Sequence, residues 1–297
     1  MLKGLAITPP VVGRISIGRV VERNGKRLPE KDDQFTLTSQ IQNREGWVLH
    51  PLDETLRKDA GGKLRSIPMR LLFDDPGLNL RADYSLFDRA TGRPVCVGNG
   101  ETSRRMGKEG VTHETCSGPD GCPFAKGECK AYARLNVRVG DDDELGSFVL
   151  RTTSYNTIRT LAARLAYFDA VSGGRLACMP LELKLRGKST TMSFRSAIYY
   201  VDLVVRSGMT LEEAIVEARN LDQSRRDAGF EQAALDEAAR RGFANGSFED
   251  LADDVPAVVE EFYPDDVSRE DRPITNGRAG LNLHDRLESK VARLSVS

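Results

Sequence analysis

Apolar and polar positions alternate through most of the first two thirds of the chain, and a period of two marks half-buried strands. Residues 34–41 (QFTLTSQI), 67–73 (IPMRLLF) and 79–87 (NLRADYSLF) predict strands, the last with Leu80, Ala82, Tyr84 and Leu86 on one side. Asp74, Asp75, Pro76 and Gly77 form a turn between the latter two, because proline presets φ and glycine tolerates positive values. Residues 131–139 (AYARLNVRV) and 147–153 (SFVLRTT) flank an acidic turn at Asp141, Asp142 and Asp143 and predict a hairpin. Residues 1–30 mix Gly and Pro with short Val and Ile runs, which suits brief strands and turns.

After residue 154 the period lengthens. Ile158, Leu161, Leu165 and Phe168 recur at helical spacing, so 155–171 predicts a helix opened by Ser154 as N-cap and closed by Gly173 and Gly174. Residues 181–185 (LELKL) and 198–205 (IYYVDLVV) return to strand character. Thr210 followed by Glu213 matches the reciprocal capping box and opens a helix through about Leu221; 231–241 is helical by composition. From Asp250 onward, acidic runs with Pro256, Pro264 and Pro273 predict a loosely packed, flexible tail. The expected class is α+β. Residues 1–200 form a twisted antiparallel sheet or a small OB-like β-barrel, packed by the 155–171 helix and carrying an inserted cysteine loop at 92–130. Residues 201–297 form an acidic helical extension.

Composition narrows the setting. Hydrophobic residues at 39% and charged residues at 29% describe a globular chain, with no run near the ~20 apolar residues of a membrane span. The apolar stretch at the N-terminus is broken by Pro9 and Pro10, which argues against a secretion signal, so the expected compartment is cytoplasmic and no membrane partner is expected. The net charge of −1 hides an asymmetry: residues 1–200 carry 31 Lys and Arg against 23 Asp and Glu, whereas 201–297 carry 12 against 21. A basic body of this kind points to a polyanionic partner.

Cys96, Cys116, Cys122 and Cys129 lie within 34 residues, in a segment too rich in glycine and too poor in aliphatic residues to build its own core. Four soft thiolates in a reducing compartment are the ligand set of one structural Zn2+, and glycine and proline let a short loop wrap the ion. An iron–sulfur cluster uses the same four donors, and free, buried thiols are the metal-free alternative. His113 could stand in for one cysteine. Cys178, within RLACMPLEL, reads as plain core.

Catalytic motifs are absent. There is no H-E-x-x-H pair and no G-x-S-x-G elbow, and Arg186-Gly187-Lys188-Ser189-Thr190 lacks a phosphate loop's leading glycine because Glu182 stands there. A closed zinc site has no open coordination position, so a non-enzymatic protein is expected. Basic residues interleaved with aromatic ones are better represented. Arg104, Arg105, Phe124, Lys126, Lys130, Tyr132, Arg134, Lys184, Arg186 and Lys188, with Lys108 and Arg195, are candidates for contacts to single-stranded DNA.

The order RPVCVGNGE, then a loop with C-P-F-A-x-x-x-C-K, then SFVLRTTSYNTIRTLAARL and GGRLACMPLELKL resembles the phage recombination directionality factor-like family over about residues 30–190. The resemblance implies a DNA-transaction accessory protein of a mobile genetic element, acting in recombination or replication. In well-studied members it implies control of a serine integrase by direct binding, which needs no DNA affinity of the factor's own. It also implies that Cys96, Cys116, Cys122 and Cys129 are that family's metal-type cysteines. The 201–297 extension lies outside it.

Overall fold

The computed structural model describes residues 10–23, 26–44, 46–107, 109–141, 146–189, 197–242 and 262. The chain begins with β1 (Val11–Arg23), β2 (Lys26–Asn43), β3 (Gly46–Leu49), α1 (Pro51–Asp59) and β4 (Ser66–Leu71). A short α2 (Pro76–Asn79) leads into β5 (Leu80–Phe87), β6 (Pro94–Gly98), β7 (Thr102–Gly107) and β8 (Gly110–Thr115). After α3 (Gly118–Gly121) come β9 (Lys130–Val139), β10 (Ser147–Thr152) and α4 (Tyr155–Ser172). The remaining elements are β11 (Leu181–Ser189), β12 (Ala197–Val205), α5 (Leu211–Asp227) and α6 (Gln232–Gly242).

The strands join in one twisted sheet, ordered β3-β2-β1-β10-β9-β5-β6-β7-β8, with a branch from β9 through β4 and β11 to β12. The α+β class is as expected, and the alternatives within it separate. Among the described residues the sheet is open rather than an OB-like barrel. Closure requires the terminal strands to hydrogen-bond each other, whereas β3 and β8 are paired on one side only and β9 forks the sheet in two directions. Nor is the sheet wholly antiparallel: β1 runs parallel to β10, from Val11 beside Ser147 to Ile15 beside Leu150.

Strand alternation divides the sheet into an apolar and a polar face. Leu80, Ala133, Leu135, Val137, Phe148, Leu150, Leu181, Leu183, Val201 and Leu203 turn to one side and form the main core with Ile158, Leu161, Leu165 and Phe168 of α4. Helix α4 starts where expected: the Ser154 hydroxyl accepts from the Thr157 amide, and Gly173 closes it at φ +66°, a left-handed value that suits glycine. It also shields the β12 edge, where the Thr157 hydroxyl accepts from the Val201 amide at 3.2 Å. The capping box of Thr210 and Glu213 is formed, and α5 continues past Leu221 to Asp227, with Ala214 and Ala218 inside the main core.

Two elements escape the apolar pattern. Helix α1 is short and polar, anchored because buried Asp53 accepts from the Leu37 amide at 2.8 Å and from the Arg57 guanidinium at 2.6 Å. His50 caps it, its Nδ1 accepting from the Leu52 amide, which requires the neutral ring; burial holds its pKa below the usual value. Helix α6 docks on a satellite cluster of Leu72, Phe73 and Leu78 through Ala239 and Leu235, and the Asp236 carboxylate accepts from the Asp74 and Asp75 amides. No helix among the described residues is long and apolar enough to cross a membrane. Lys108, Asp142 to Glu144, Arg195 and the tail from Asp250, Phe262 excepted, lie outside the described residues.

Candidate metal centre and nucleic-acid interface

The glycine-rich insertion continues the sheet outward instead of forming a free loop. β6 pairs with β5 and β7 with β8, and the registers set Leu86, Cys96 and Arg105 side by side, with Tyr84, Gly98 and Ser103 in the next row. Cys116 leaves β8 with its amide donating to the Glu101 carbonyl at 2.9 Å. The chain then turns through Gly118 (φ +72°), Lys126 (φ +48°) and Gly127 (φ +80°), which carries Cys122 and Cys129 back under the same face.

All four cysteines border one cavity, together with Tyr84, Leu86, Ser103 and Phe124. Each is half-buried, and none of the five cysteines is in a disulfide. Burial, and after it the three neighbouring thiols, push the Cys129 thiol up to about 11. Space for this gathering depends on Gly98, since a Cβ there would meet the Cys116 Sγ and the Ser103 Cβ at 2.8 Å each. Among the described residues no group of three or more His, Cys, Asp or Glu is closed into metal-holding geometry. The donor set still fits a tetrahedral zinc ion, because four thiols and no carboxylate or imidazole line the cavity. His113 pairs with Arg104 on the reverse face of the β7–β8 hairpin and turns away from the thiols. Cys178 is buried in the main core.

The basic candidates fall into two places rather than one groove. Arg105, Phe124 and Lys126 belong to the cysteine loop, where the Arg105 guanidinium lies 3.9 Å over the Phe124 ring. Arg104, Lys130, Tyr132, Arg134, Lys184, Arg186 and Lys188 occupy the alternate positions of their strands, so they share the polar face of the sheet. Several are already engaged. Arg186 pairs with Asp202 at 3.3 Å, Lys184 with Glu182 at 3.4 Å, and Lys188 donates to Asn156 at 2.9 Å. Tyr132 is 1% exposed, so its ring offers no open stacking platform.

At the centre of this face sequence reasoning named Arg134 and missed the other arginines. The registers set Arg81 beside Arg134, Arg151 beside Arg134 on the other flank, and Arg70 beside Arg138; Arg14, beside Val149, lies on the same face on β1. Five strands thus contribute arginines to one surface. Arg70 is neutralised by Asp141 at 2.7 Å and Glu217 at 2.5 Å, and Arg14 stacks 3.1 Å over Trp47. Part of the signal was present in the sequence, since Arg70, Arg134 and Arg138 each stand between two core residues, as in L-N-V-R-V. Alternation marks the face but not which strands become neighbours.

Comparison with known proteins gives one finding: the family model described as Gp3-like, recombination directionality factor-like, matches residues 12–206. That span runs from β1 through β12 and includes the cysteine loop and α4. No curated protein and no solved structure matches the chain.

Proposed function

Because the chain belongs to the Gp3-like, recombination directionality factor-like family, we propose that it is a non-catalytic accessory protein of DNA recombination on a mobile genetic element. Its polar sheet face binds DNA, and its cysteine loop is held by one structural zinc ion. The observation that carries this reading is the gathering of cations on one face, where Arg81, Arg104, Arg151, Lys184, Arg186 and Lys188 keep part of their side chains exposed around the more deeply buried Arg14, Arg70, Arg134 and Arg138. Guanidinium groups in a row are suited to phosphate oxygens, to which they donate paired hydrogen bonds. Single-stranded DNA is the favoured form, since Tyr200 near Lys188 puts an aromatic ring next to a cation on that face. Cys96, Cys116, Cys122 and Cys129 would hold the zinc. Bound there, it supplies no chemistry beyond fixing the loop and with it Arg105 and Phe124.

Gel shifts on single- and double-stranded oligonucleotides across a salt series test the DNA reading. Binding at ~50 mM salt that fades steeply towards ~200 mM is expected, because phosphate contacts release counterions. No shift of either DNA at ~50 mM overturns it.

A second reading, direct control of a recombinase without DNA affinity, has its own support. The β7–β8 hairpin is a sheet edge whose paired Met106 and Val111 are each 48% exposed. An apolar edge of this kind suits strand addition by a protein partner. Complex formation with a purified integrase after nuclease treatment, lost in Met106→Lys, selects this reading over the first.

A further inference from the structure

DNA binding on the polar face gives no work to Arg105, which stands on the other side of the sheet. On β7 Arg105 is level with Cys96 of β6, which is level in turn with Leu86 of β5. Leu86 shares the side of Leu80, a residue of the main core, so this is the apolar side. An arginine placed there calls for a physical reason. Its guanidinium lies 3.9 Å over the Phe124 ring, and its Nε is enclosed with no hydrogen-bond acceptor among the described residues. An N–H shut away from water without an acceptor is costly, so its position points to an acceptor that a ligand creates.

The surroundings say which. Arg105 lines the cavity that the four cysteines border, and no carboxylate lines it. Neutral thiols are weak acceptors, whereas thiolates on a metal are anionic and accept charge-assisted hydrogen bonds. Four thiolates on one Zn2+ leave two negative charges in excess, at cysteines that are half removed from water. A guanidinium suits such a place better than an ammonium, because it is weakly hydrated and its plane can rest on an aromatic face. Phe124 follows Cys122 by two residues, so the segment that brings a sulfur also brings the ring against Arg105. That ring lines the same cavity and is 40% exposed, so it forms part of the wall between the cavity and solvent.

We propose that Arg105 is the charge partner of the tetrathiolate zinc centre: stacked on Phe124, it donates to cysteine sulfur and offsets part of the excess negative charge. Zinc is held more tightly as a result, and the thiolates become weaker electron donors. The proposal rests on the zinc reading of the cysteine loop and not on DNA binding. Arg105 is a positioning residue rather than a ligand, since a guanidinium keeps its protons and offers the metal no lone pair. Groups that hydrogen-bond to metal ligands change metal affinity by about 10–100-fold when removed.

The test uses the reduced full-length chain as wild type, Arg105→Gln and Arg105→Met, each loaded with Co2+ and then titrated with Zn2+ against a competing chelator. Tetrahedral Co2+ reports its sulfur donors through a sulfur-to-metal charge-transfer band. A hydrogen bond and a nearby cation both lower the energy of the sulfur lone pairs, so their loss moves that band to longer wavelength. Both variants are expected to bind Zn2+ about 10–100-fold more weakly than wild type and to show the band at longer wavelength. Arg105→Met fills similar space on the apolar side without charge or donor, so it decides the matter where Arg105→Gln does not fold. Wild-type affinity and band position in the variants overturn the proposal and leave the zinc reading intact. Weaker binding with an unmoved band also overturns it, since loosened packing of the β7–β8 hairpin would produce that result. A wild-type chain that gives no tetrathiolate Co2+ spectrum overturns the zinc reading and the proposal with it.

Discussion

Asp74 shows how single side chains here serve packing at an electrostatic cost. Its carboxylate accepts from the Ala177 amide at 2.9 Å, tying the turn before α2 to the segment after α4. Burial first, and then Asp236, Asp222 and Asp169, raise its pKa to about 6 from 3.8. The unfolded chain therefore releases this proton at lower pH than the folded one does. Between pH ~4 and ~6 the folded state holds more protons, and stability from this group falls as pH rises through that window. Asp74→Asn keeps an acceptor for Ala177 and removes the buried charge. It is expected to raise stability at pH 7.5 by about 2 kcal/mol and to leave stability at pH 4 near wild type. Denaturant melts at the two pH values check this; equal effects at both would mean that Asp74 is not buried as a charge. His50 acts in the opposite direction, since its depressed pKa favours the folded state above the usual histidine range and withdraws that support as pH falls below it.

At the scale of elements, the β5–β8 extension is what turns four scattered cysteines into neighbours. Gly98 is the narrow point, where the strand backbone must pass within contact of Cys116 and Ser103. Gly98→Ala is expected to lower stability by about 1–3 kcal/mol through overpacking and to reduce zinc occupancy. Native mass spectrometry should find one zinc ion per wild-type chain and a sub-stoichiometric amount in the variant. A metal-free wild-type chain, or one carrying iron and sulfide, contradicts the zinc assignment. Much at this scale was legible from local pattern: the AYARLNVRV strand, the Ser154 cap and the Thr210–Glu213 box depend on neighbours a few residues away. Helix α1 was not legible, because buried Asp53 and its ion pair with Arg57 hold it rather than an apolar stripe. The cysteines read as a loop of their own, whereas β6, β7 and β8 make that segment part of the sheet.

Across the whole molecule, what the sequence could not convey is long-range adjacency. Arg14 and Arg151 are far apart along the chain, and they share a face because β1 lies parallel beside β10. The same holds for Phe262, an aromatic residue in an acidic stretch whose place on β9 no local period announces. The open sheet lets one face build the core with α4 and α5 while the other accumulates cations, and this separation is the basis of the functional reading. The most direct test of that reading is the slope of log affinity for single-stranded DNA against log salt. It should be measured for wild type, for Arg104→Gln/Lys184→Gln/Arg186→Gln on the polar face, and for Arg159→Gln/Arg219→Gln/Arg241→Gln on the helices. The account expects the polar-face triple variant to lose about two units of slope, close to 0.7 per phosphate contact, with the helix variant unchanged. Equal slopes for all three chains, or a loss confined to the helix variant, would contradict it.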